Sequence, residues 1–217
     1  MTITLSIVLL TALISFSAFR NERLLDDLIF YPPAITQRKQ WYRFFTCGLI
    51  HADFTHLIFN MISLYAFGQF VEDGFRGIFQ EKGKLLYLSM YLLALPVCLL
   101  PTFQRHRHNY HYRSLGASGA VSAVVFAGLM IAPTIEVGFF FIPPIIPGFV
   151  FGPTYLLISA ILDRKGSASV NHSAHLWGAL FGIAFISLAA KVWSDFDVVS
   201  ECIRSIRSYL TVKGILP

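Results

Sequence analysis

Long apolar blocks separated by shorter polar segments constrain this chain more than any other feature. Six such blocks occur, at about residues 1–19, 54–71, 85–100, 118–132, 149–162 and 174–191. Hydrophobic residues make up 55% of the 217 residues and charged residues only 13%, which is too apolar for a soluble domain. Because several blocks approach the length needed to cross a bilayer, we predict an all-α membrane protein with six transmembrane helices.

The polar segment that follows the first block is unusually long. Residues 20–47 mix charged and aromatic side chains, Pro32-Pro33 interrupts any helix there, and Trp41 to Phe45 is amphipathic. Tryptophan, tyrosine and arginine prefer the membrane surface, so we expect a long interfacial first loop. The first block lacks a basic leading segment, which favours a retained helix over a cleaved signal peptide.

The end of the chain differs from the blocks before it. Residues 1–193 are predicted to form one membrane domain, and residues 194–217 a tail. Charges of both signs occur in this tail, and apolar residues recur there at helical spacing: Val198, Cys202, Ile206 and Leu210. This pattern predicts an amphipathic helix, whose role the sequence leaves open.

Charge and cysteine content exclude some classes of function. The net charge of +5 is spread over loops and tail without a basic helix face, so a nucleic-acid partner is not expected. The cysteines Cys47, Cys98 and Cys202 are scattered and odd in number, which predicts neither a disulfide framework nor a metal site. We interpret them as packing residues.

A serine stands where the fourth block begins, in the motif Gly116-Ala117-Ser118-Gly119. The first turn of a helix presents unpaired N–H groups and the positive end of the helix dipole, which stabilise a developing oxyanion. Flanking glycines let another backbone or a substrate approach closely. On this motif alone, however, a serine that caps the helix or eases helix packing is the favoured interpretation.

Two polar side chains open the second block. His56 and Asn60 are four residues apart and therefore project from one face of a helix. Polar groups at membrane depth point at a cavity or at each other. Hydrogen bonding between helices and donation to a reaction centre are both compatible with this pair.

Two stripes of small residues predict which helices meet. Gly119, Ala123 and Ala127 recur every four residues in the fourth block, and Ala174, Gly178 and Gly182 do so in the sixth. Such stripes let membrane helices pack closely. Ser118 and His175 lie beside the starts of these stripes, so facing stripes would bring the hydroxyl and the imidazole together.

The chain resembles the rhomboid intramembrane serine proteases over residues 43–182. The resemblance rests on three ordered motifs: HADFTHLIFN at residues 51–60, GASG at 116–119 and AHLWGALFG at 174–182. It implies a six-helix bundle that cleaves transmembrane segments of membrane proteins within the cell membrane, in contact with lipid and without cofactor or metal. The oligomeric state stays open.

The resemblance also implies a role for each motif residue. Ser118 would be the nucleophile and His175 the general base, without a third carboxylate. His56, Asn60 and the Ser118 backbone N–H would form an oxyanion hole. His51 would organise structure or water near the first loop, and the glycines of the motifs would support the site: Gly116, Gly119 and Gly178.

Two departures from the family pattern affect the expected site. Tyr42 precedes Arg43, where family members commonly carry a Trp-Arg pair. Ser122 stands where better studied members have a tyrosine that stacks on the catalytic histidine. His175 would therefore need another orienting group, such as Trp177 or a hydrogen bond.

Two alternatives compete with the protease interpretation. One is an inactive rhomboid-like protein that binds transmembrane helices without cutting them. The other is a membrane metal or haem binder that uses four histidines: His51, His56, His172 and His175.

Overall fold

The computed structural model describes residues 1–139, 142–165 and 170–216, and these residues are mostly helical. The helices are α1 (Ile3–Ala18), α2 (Glu22–Leu28), α3 (Pro32–Arg38), α4 (Arg43–Thr46), α5 (Phe54–Phe79), α6 (Gly83–His106), α7 (Ser118–Ile131), α8 (Gly148–Lys165), α9 (His172–Trp193) and α10 (Val198–Val212). Short 3-10 turns occupy Cys47–Leu49 and Gln80–Lys82, and an antiparallel hairpin joins β1 (Glu136–Phe139) to β2 (Ile142–Pro147).

Two stretches of the described chain meet the length and hydropathy expected of a membrane-crossing helix. Phe54–His106, which contains α5 and α6, and His172–Trp193 are long and apolar enough to cross a bilayer. Ile3–Ala18 and Ser118–Ile131 are shorter apolar helices. These findings support a helical membrane protein, and the count of six spans stays a prediction.

The polar segment at residues 72–84 is not the loop that its composition suggests, because α5 continues to Phe79. Glu72 is buried within α5, and its carboxylate accepts hydrogen bonds from the backbone of Ile3 and Thr4 at 3.0 and 2.9 Å. The Thr4 hydroxyl donates to the same carboxylate at 2.9 Å and lies 2.8 Å from the Tyr87 hydroxyl. The first turn of α1 thus satisfies a charge that would otherwise interrupt an apolar helix.

The long first loop folds into the short helices α2, α3 and α4. Arg43 is its buried anchor, since the guanidinium donates to the carbonyl oxygens of Asp26 and Ile29 at 2.6 and 2.8 Å. Trp41 stacks on Phe44 with ring centroids 6.1 Å apart but remains 55% exposed. Arg43 therefore holds the loop through backbone carbonyls, and its guanidinium also lies over the ring of the preceding Tyr42, 5.6 Å from the ring centroid.

Sequence analysis did not identify the hairpin between α7 and α8. Its prolines suggested an irregular connection, yet Glu136 pairs with Pro147 and Val137 with Ile146. A two-stranded hairpin tolerates proline because each strand has a free edge. The composition of residues 163–173 predicts a short, polar and flexible linker; α8 extends to Lys165, α9 begins at His172, and Gly166 to Ser169 lie outside the described residues.

Helix α7 is the buried centre of the bundle and packs against α5, α6 and α9. A methyl group on Gly178 would overlap the Gly119 carbonyl, and one on Gly182 would overlap the Ala123 carbonyl. The two small-residue stripes therefore face each other with their backbones in contact. This seam fixes the position of α9 against the start of α7.

Candidate active site

Ser118 and His175 meet at one end of the seam between α7 and α9. Ser118 is the first residue of α7, and His175 lies in the first turn of α9, 57 positions further along the chain. The His175 Nε2 atom is 2.7 Å from the Ser118 Oγ atom, which is hydrogen-bonding distance. The arrangement allows an unprotonated Nε2 to accept the hydroxyl proton.

The backbone around Ser118 is available for a further interaction. The first-turn N–H groups of any α-helix lack intrahelical partners. At the start of α7, the capping residue Ala117 offers no side-chain acceptor for them. Gly119 is packed tightly, because an added Cβ would lie 3.2 Å from the Ala174 carbonyl oxygen and would overlap the Cys98 sulfur. The start of α7 therefore combines a fixed backbone with free donors.

His51 links α1 to this turn through a chain of hydrogen bonds. It lies outside the membrane-crossing helices, just before α5, and is fully buried. The Ser15 hydroxyl donates to the Leu49 carbonyl at 2.9 Å, so it accepts from His51 Nδ1 at 3.0 Å. His51 Nε2 is then the acceptor that faces the Ala117 N–H at 3.5 Å. Sequence analysis missed Ser15 because it lies in an apolar block.

Burial keeps the His51 ring neutral. Loss of water contact, together with the nearby His56, lowers the pKa of His51 to about 3. A neutral ring with its proton on Nδ1 fits the hydrogen-bond chain from Ala117 to Leu49. This geometry favours a structural interpretation of His51.

Helix α5 brings His56 and Asn60 to the neighbourhood of Ser118. Asp53 caps this helix by accepting from the His56 N–H at 2.8 Å. The His56 ring packs edge-on against His51, with centroids 5.0 Å apart. The Asn60 Nδ2 atom donates to the His56 carbonyl at 3.0 Å, which leaves its second amide hydrogen uncommitted.

Gly116 permits this arrangement. Its φ of +112° is accessible to glycine alone, and an added Cβ would lie 2.8 Å from the His56 Cε1 atom. The turn before Ser118 therefore lies directly against the imidazole of His56.

Two cavities reach Ser118. The larger, about 910 Å³, is lined by both apolar and polar side chains, and the polar ones include His56, Arg105, Tyr112, Asn171 and His172. The smaller, about 230 Å³, lies between α5 and α8 and is bordered by Asn60, Ser122 and a set of aromatic residues: Phe59, Phe67, Phe126, Phe151 and Tyr155. The hydroxyl thus faces a large space with several polar side chains on one side and a smaller, apolar slot on the other.

His175 is not oriented by an aromatic ring four positions after Ser118, because the residue at that position is Ser122. Ser122 at that position hydrogen-bonds with the Tyr155 hydroxyl on α8 at 3.2 Å, and Trp177 is 44% exposed. The His172 ring meets the His175 ring edge-on, with centroids 6.0 Å apart. The bond to Ser118 and this ring contact both help to position the imidazole.

Asn171 secures the first turn of α9, which carries both histidines. Its Oδ1 atom accepts from the Ala174 N–H at 3.0 Å and from the Thr102 hydroxyl of α6 at 3.1 Å. Sequence analysis did not single out Asn171, although an asparagine immediately before an apolar helix is a recognised capping signal.

The four histidines considered for metal binding form two pairs of packed rings, His51 with His56 and His172 with His175. Within residues 1–139, 142–165 and 170–216, no group of three His, Cys, Asp or Glu side chains is placed to hold a metal ion.

The fold and the site define a helical membrane protein with a serine–histidine pair at the start of its central helix. A family model described as the Rhomboid domain matches residues 38–192, which is more than half of the chain. The chain therefore belongs to the rhomboid family.

Curated relatives agree with this assignment. Rhomboid-like protein 11, chloroplastic, of Arabidopsis thaliana is 29% identical over 159 residues, which cover 70% of this chain and 53% of the relative. The Arabidopsis RHOMBOID-like protein 12, mitochondrial, is 29% identical, covering 69% of this chain and 44% of the relative. The human presenilin-associated rhomboid-like protein, mitochondrial, is 27% identical, covering 76% and 42%. The chain thus spans about half the length of these relatives.

Proposed function

We propose that this protein is an intramembrane serine endopeptidase that cleaves transmembrane segments of membrane proteins. The observation that carries the proposal is the 2.7 Å hydrogen bond between Ser118 Oγ and His175 Nε2 at the end of a buried helix seam. A location in the cell membrane is also only proposed. The relatives described above carry names that refer to chloroplasts or mitochondria, so they do not support that location.

In the proposed mechanism, His175 takes the Ser118 proton as Oγ attacks a peptide carbonyl. The tetrahedral oxyanion accepts hydrogen bonds from the Ser118 N–H, from His56 and from the free amide hydrogen of Asn60. His175 then gives the proton to the leaving amine, and water hydrolyses the acyl-enzyme. No metal or cofactor takes part in this scheme.

The two cavities support a membrane-embedded substrate. The apolar slot between α5 and α8 suits a segment that enters from the bilayer, and the polar space on the other side suits the water that deacylation requires. A transmembrane helix has all its backbone groups bonded internally, so it must unwind before Ser118 can attack.

Labelling of Ser118 by a fluorophosphonate probe tests the proposal. We expect labelling of the wild type, none of Ser118→Ala, and a loss of at least about a hundredfold in His175→Ala, since general-base assistance contributes roughly that much. Equal labelling of wild type and His175→Ala would contradict the proposed dyad. The matched control is His108→Ala, which changes an exposed histidine of the loop between α6 and α7 that does not line either cavity.

Substrate cleavage separates the protease from the inactive alternative. A model transmembrane substrate should be cut by the wild type and left intact by Ser118→Ala. Binding without cleavage by both proteins would favour an inactive rhomboid-like protein. Metal analysis of the purified protein distinguishes the third interpretation, which requires bound metal or haem.

A further inference from the structure

Helix α10 lies at the end of the bundle opposite Ser118. Helix α9 carries His175 in its first turn and runs for 22 residues, about 33 Å, before the short connection to α10. Helix α10 packs against α7 and α9, and its Tyr209 ring contacts Phe149 at the start of α8, with centroids 5.6 Å apart. It is therefore fixed to the bundle where α9 leaves the membrane.

The apolar face of α10 is wider than the bundle covers. At 100° per residue, seven apolar positions fall within an arc of about 140°: Val198, Tyr209, Cys202, Ile206, Val199, Leu210 and Ile203. Val198, at one edge of this arc, is 1% exposed and packs in the core. Val199 and Ile203, towards the other edge, are 45% and 62% exposed. One flank of the apolar arc thus contacts the bundle, while the other faces outward.

The uncovered flank follows closely in sequence on apolar side chains that are exposed at the end of α9. The last two turns of α9 expose Leu188, Val192 and Trp193, and the chain reaches α10 only four residues later. Tryptophan prefers the level of the lipid headgroups. Val199 and Ile203 therefore lie close to the level at which the bilayer surface meets the bundle.

The charges of α10 are separated along its length. The acidic residues lie at its start, where Asp197 caps the helix by accepting from the Val199 and Ser200 N–H groups and Glu201 pairs with Arg204 at 2.7 Å. No acidic residue follows Glu201 in the sequence, whereas Arg207 and Lys213 do. Arg207 is exposed and has no ion-pair partner in the described part of the chain. The second half of α10 is consequently cationic.

We propose that α10 is a membrane-surface helix whose second half binds the anionic headgroups of the surrounding bilayer. Val199 and Ile203 insert below the headgroups, and Arg207, which lies about 40° beyond Ile203 at the polar edge of the same face, contacts lipid phosphate. This surface is independent of the proposed protease activity, since it lies at the other end of the bundle.

Depth-dependent quenching tests the orientation of α10. A fluorophore is attached to the full-length protein at one new cysteine, either Ile203→Cys or the polar-face control Thr211→Cys. Both variants also carry Cys202→Ser, and the remaining cysteines, Cys47 and Cys98, are buried. In vesicles, brominated acyl chains should quench the probe at position 203, and aqueous iodide should quench the probe at position 211. Iodide quenching at 203 would overturn the proposal, as would protection of 203 from both quenchers, which would indicate a second copy or another protein on this face.

Lipid selectivity tests the headgroup contact. Spin-labelled phosphatidylglycerol and phosphatidylcholine report which lipid the protein retains, and the wild type should prefer phosphatidylglycerol. Replacing Arg207 by glutamine should reduce that preference by up to roughly fivefold at low salt, and added salt should reduce the wild-type preference. The matched control is Arg76→Gln, since Arg76 lies near the same end of the bundle and is neutralised by Asp73 at 3.4 Å. An unchanged preference in Arg207→Gln would overturn the headgroup contact.

Discussion

The His175 imidazole hydrogen-bonds to Ser118 and is otherwise positioned by packing and by the helix turn that carries it. In the described part of the chain, no carboxylate hydrogen-bonds to the His175 ring, so the imidazole depends on Ser118, on the edge of His172 and on the Asn171 cap of its helix turn. Each of these supports comes from packing or local backbone structure. The position of the imidazole should accordingly respond to small changes in the surrounding turns.

Gly116 offers the sharpest test of this sensitivity. We expect Gly116→Ala to lower stability by about 2 kcal/mol, because its φ of +112° is unfavourable for alanine, and to weaken probe labelling of Ser118, because the new methyl group displaces His56. Thermal unfolding and fluorophosphonate labelling measure the two effects.

The control for that variant is Gly214→Ala. Gly214 also has a positive φ, +69°, but a Cβ there meets nothing within 4 Å. Gly214→Ala should lower the free energy of unfolding by about 1 kcal/mol and leave labelling of Ser118 unchanged. Normal labelling of Gly116→Ala would show that the packing of His56 on this turn does not affect the site.

His51 should make the folded protein sensitive to acid. Its pKa is lowered to about 3 in the folded state, against an ordinary value of about 6.5, so the unfolded state binds the additional proton between these values. The stability that the neutral ring contributes is fully present above about pH 6.5 and is lost as the pH falls below that value. The loss reaches roughly 2 kcal/mol at about pH 5. Unfolding of wild type and His51→Gln at pH 7.5 and pH 5 measures the difference. An equal loss in both proteins would assign the acid sensitivity to other groups.

Among the helices, α1 and α5 are joined by a buried carboxylate. Glu72 accepts three hydrogen bonds from Ile3 and Thr4, and its removal would leave the first turn of α1 without these acceptors. We expect Glu72→Ala to destabilise the protein by about 3 kcal/mol, as measured by thermal unfolding in detergent. Glu81→Ala, at an exposed glutamate in the turn after α5, should have almost no effect. Similar melting of the two variants would contradict a clamping role for Glu72.

The seam between α7 and α9 depends on glycine at position 178. Gly178→Ala would drive a methyl group into the Gly119 carbonyl, so the helices must separate and the Ser118–His175 distance must change. We expect a loss of both stability and probe labelling, of about 1–3 kcal/mol for the former. Gly77→Ala is the matched control on α5, where a Cβ meets nothing within 4 Å, and alanine there should be neutral or stabilising. Labelling of Gly178→Ala at the wild-type level would show that the seam tolerates separation.

Across the whole molecule, periodicity in the sequence predicted the central contact better than it predicted the boundaries of elements. The two small-residue stripes correctly indicated that Ser118 and His175 would meet, because close helix packing needs small residues at fixed spacing. The continuation of α5 through Glu72 could not be predicted, since a charge suggests a loop unless its partner on α1, nearly seventy positions away, is known. The hairpin was missed because prolines mark both irregular segments and free strand edges.

The depth of Ser118 within the bundle sets a condition on any substrate. The hydroxyl lies where the polar cavity meets the narrow aromatic slot, and a helix with side chains is about 10–12 Å wide, so an unwound strand fits this junction better than an intact helix. If unwinding limits cleavage by the proposed protease, each glycine placed near the cleaved bond of a leucine-rich substrate should raise kcat/KM by roughly fivefold. The reason is that glycine lowers the stability of a helix by about 1 kcal/mol. The same glycine at the far end of the substrate helix should have little effect. Equal acceleration by glycine at both positions would mean that overall substrate stability, and not local access to Ser118, limits the reaction.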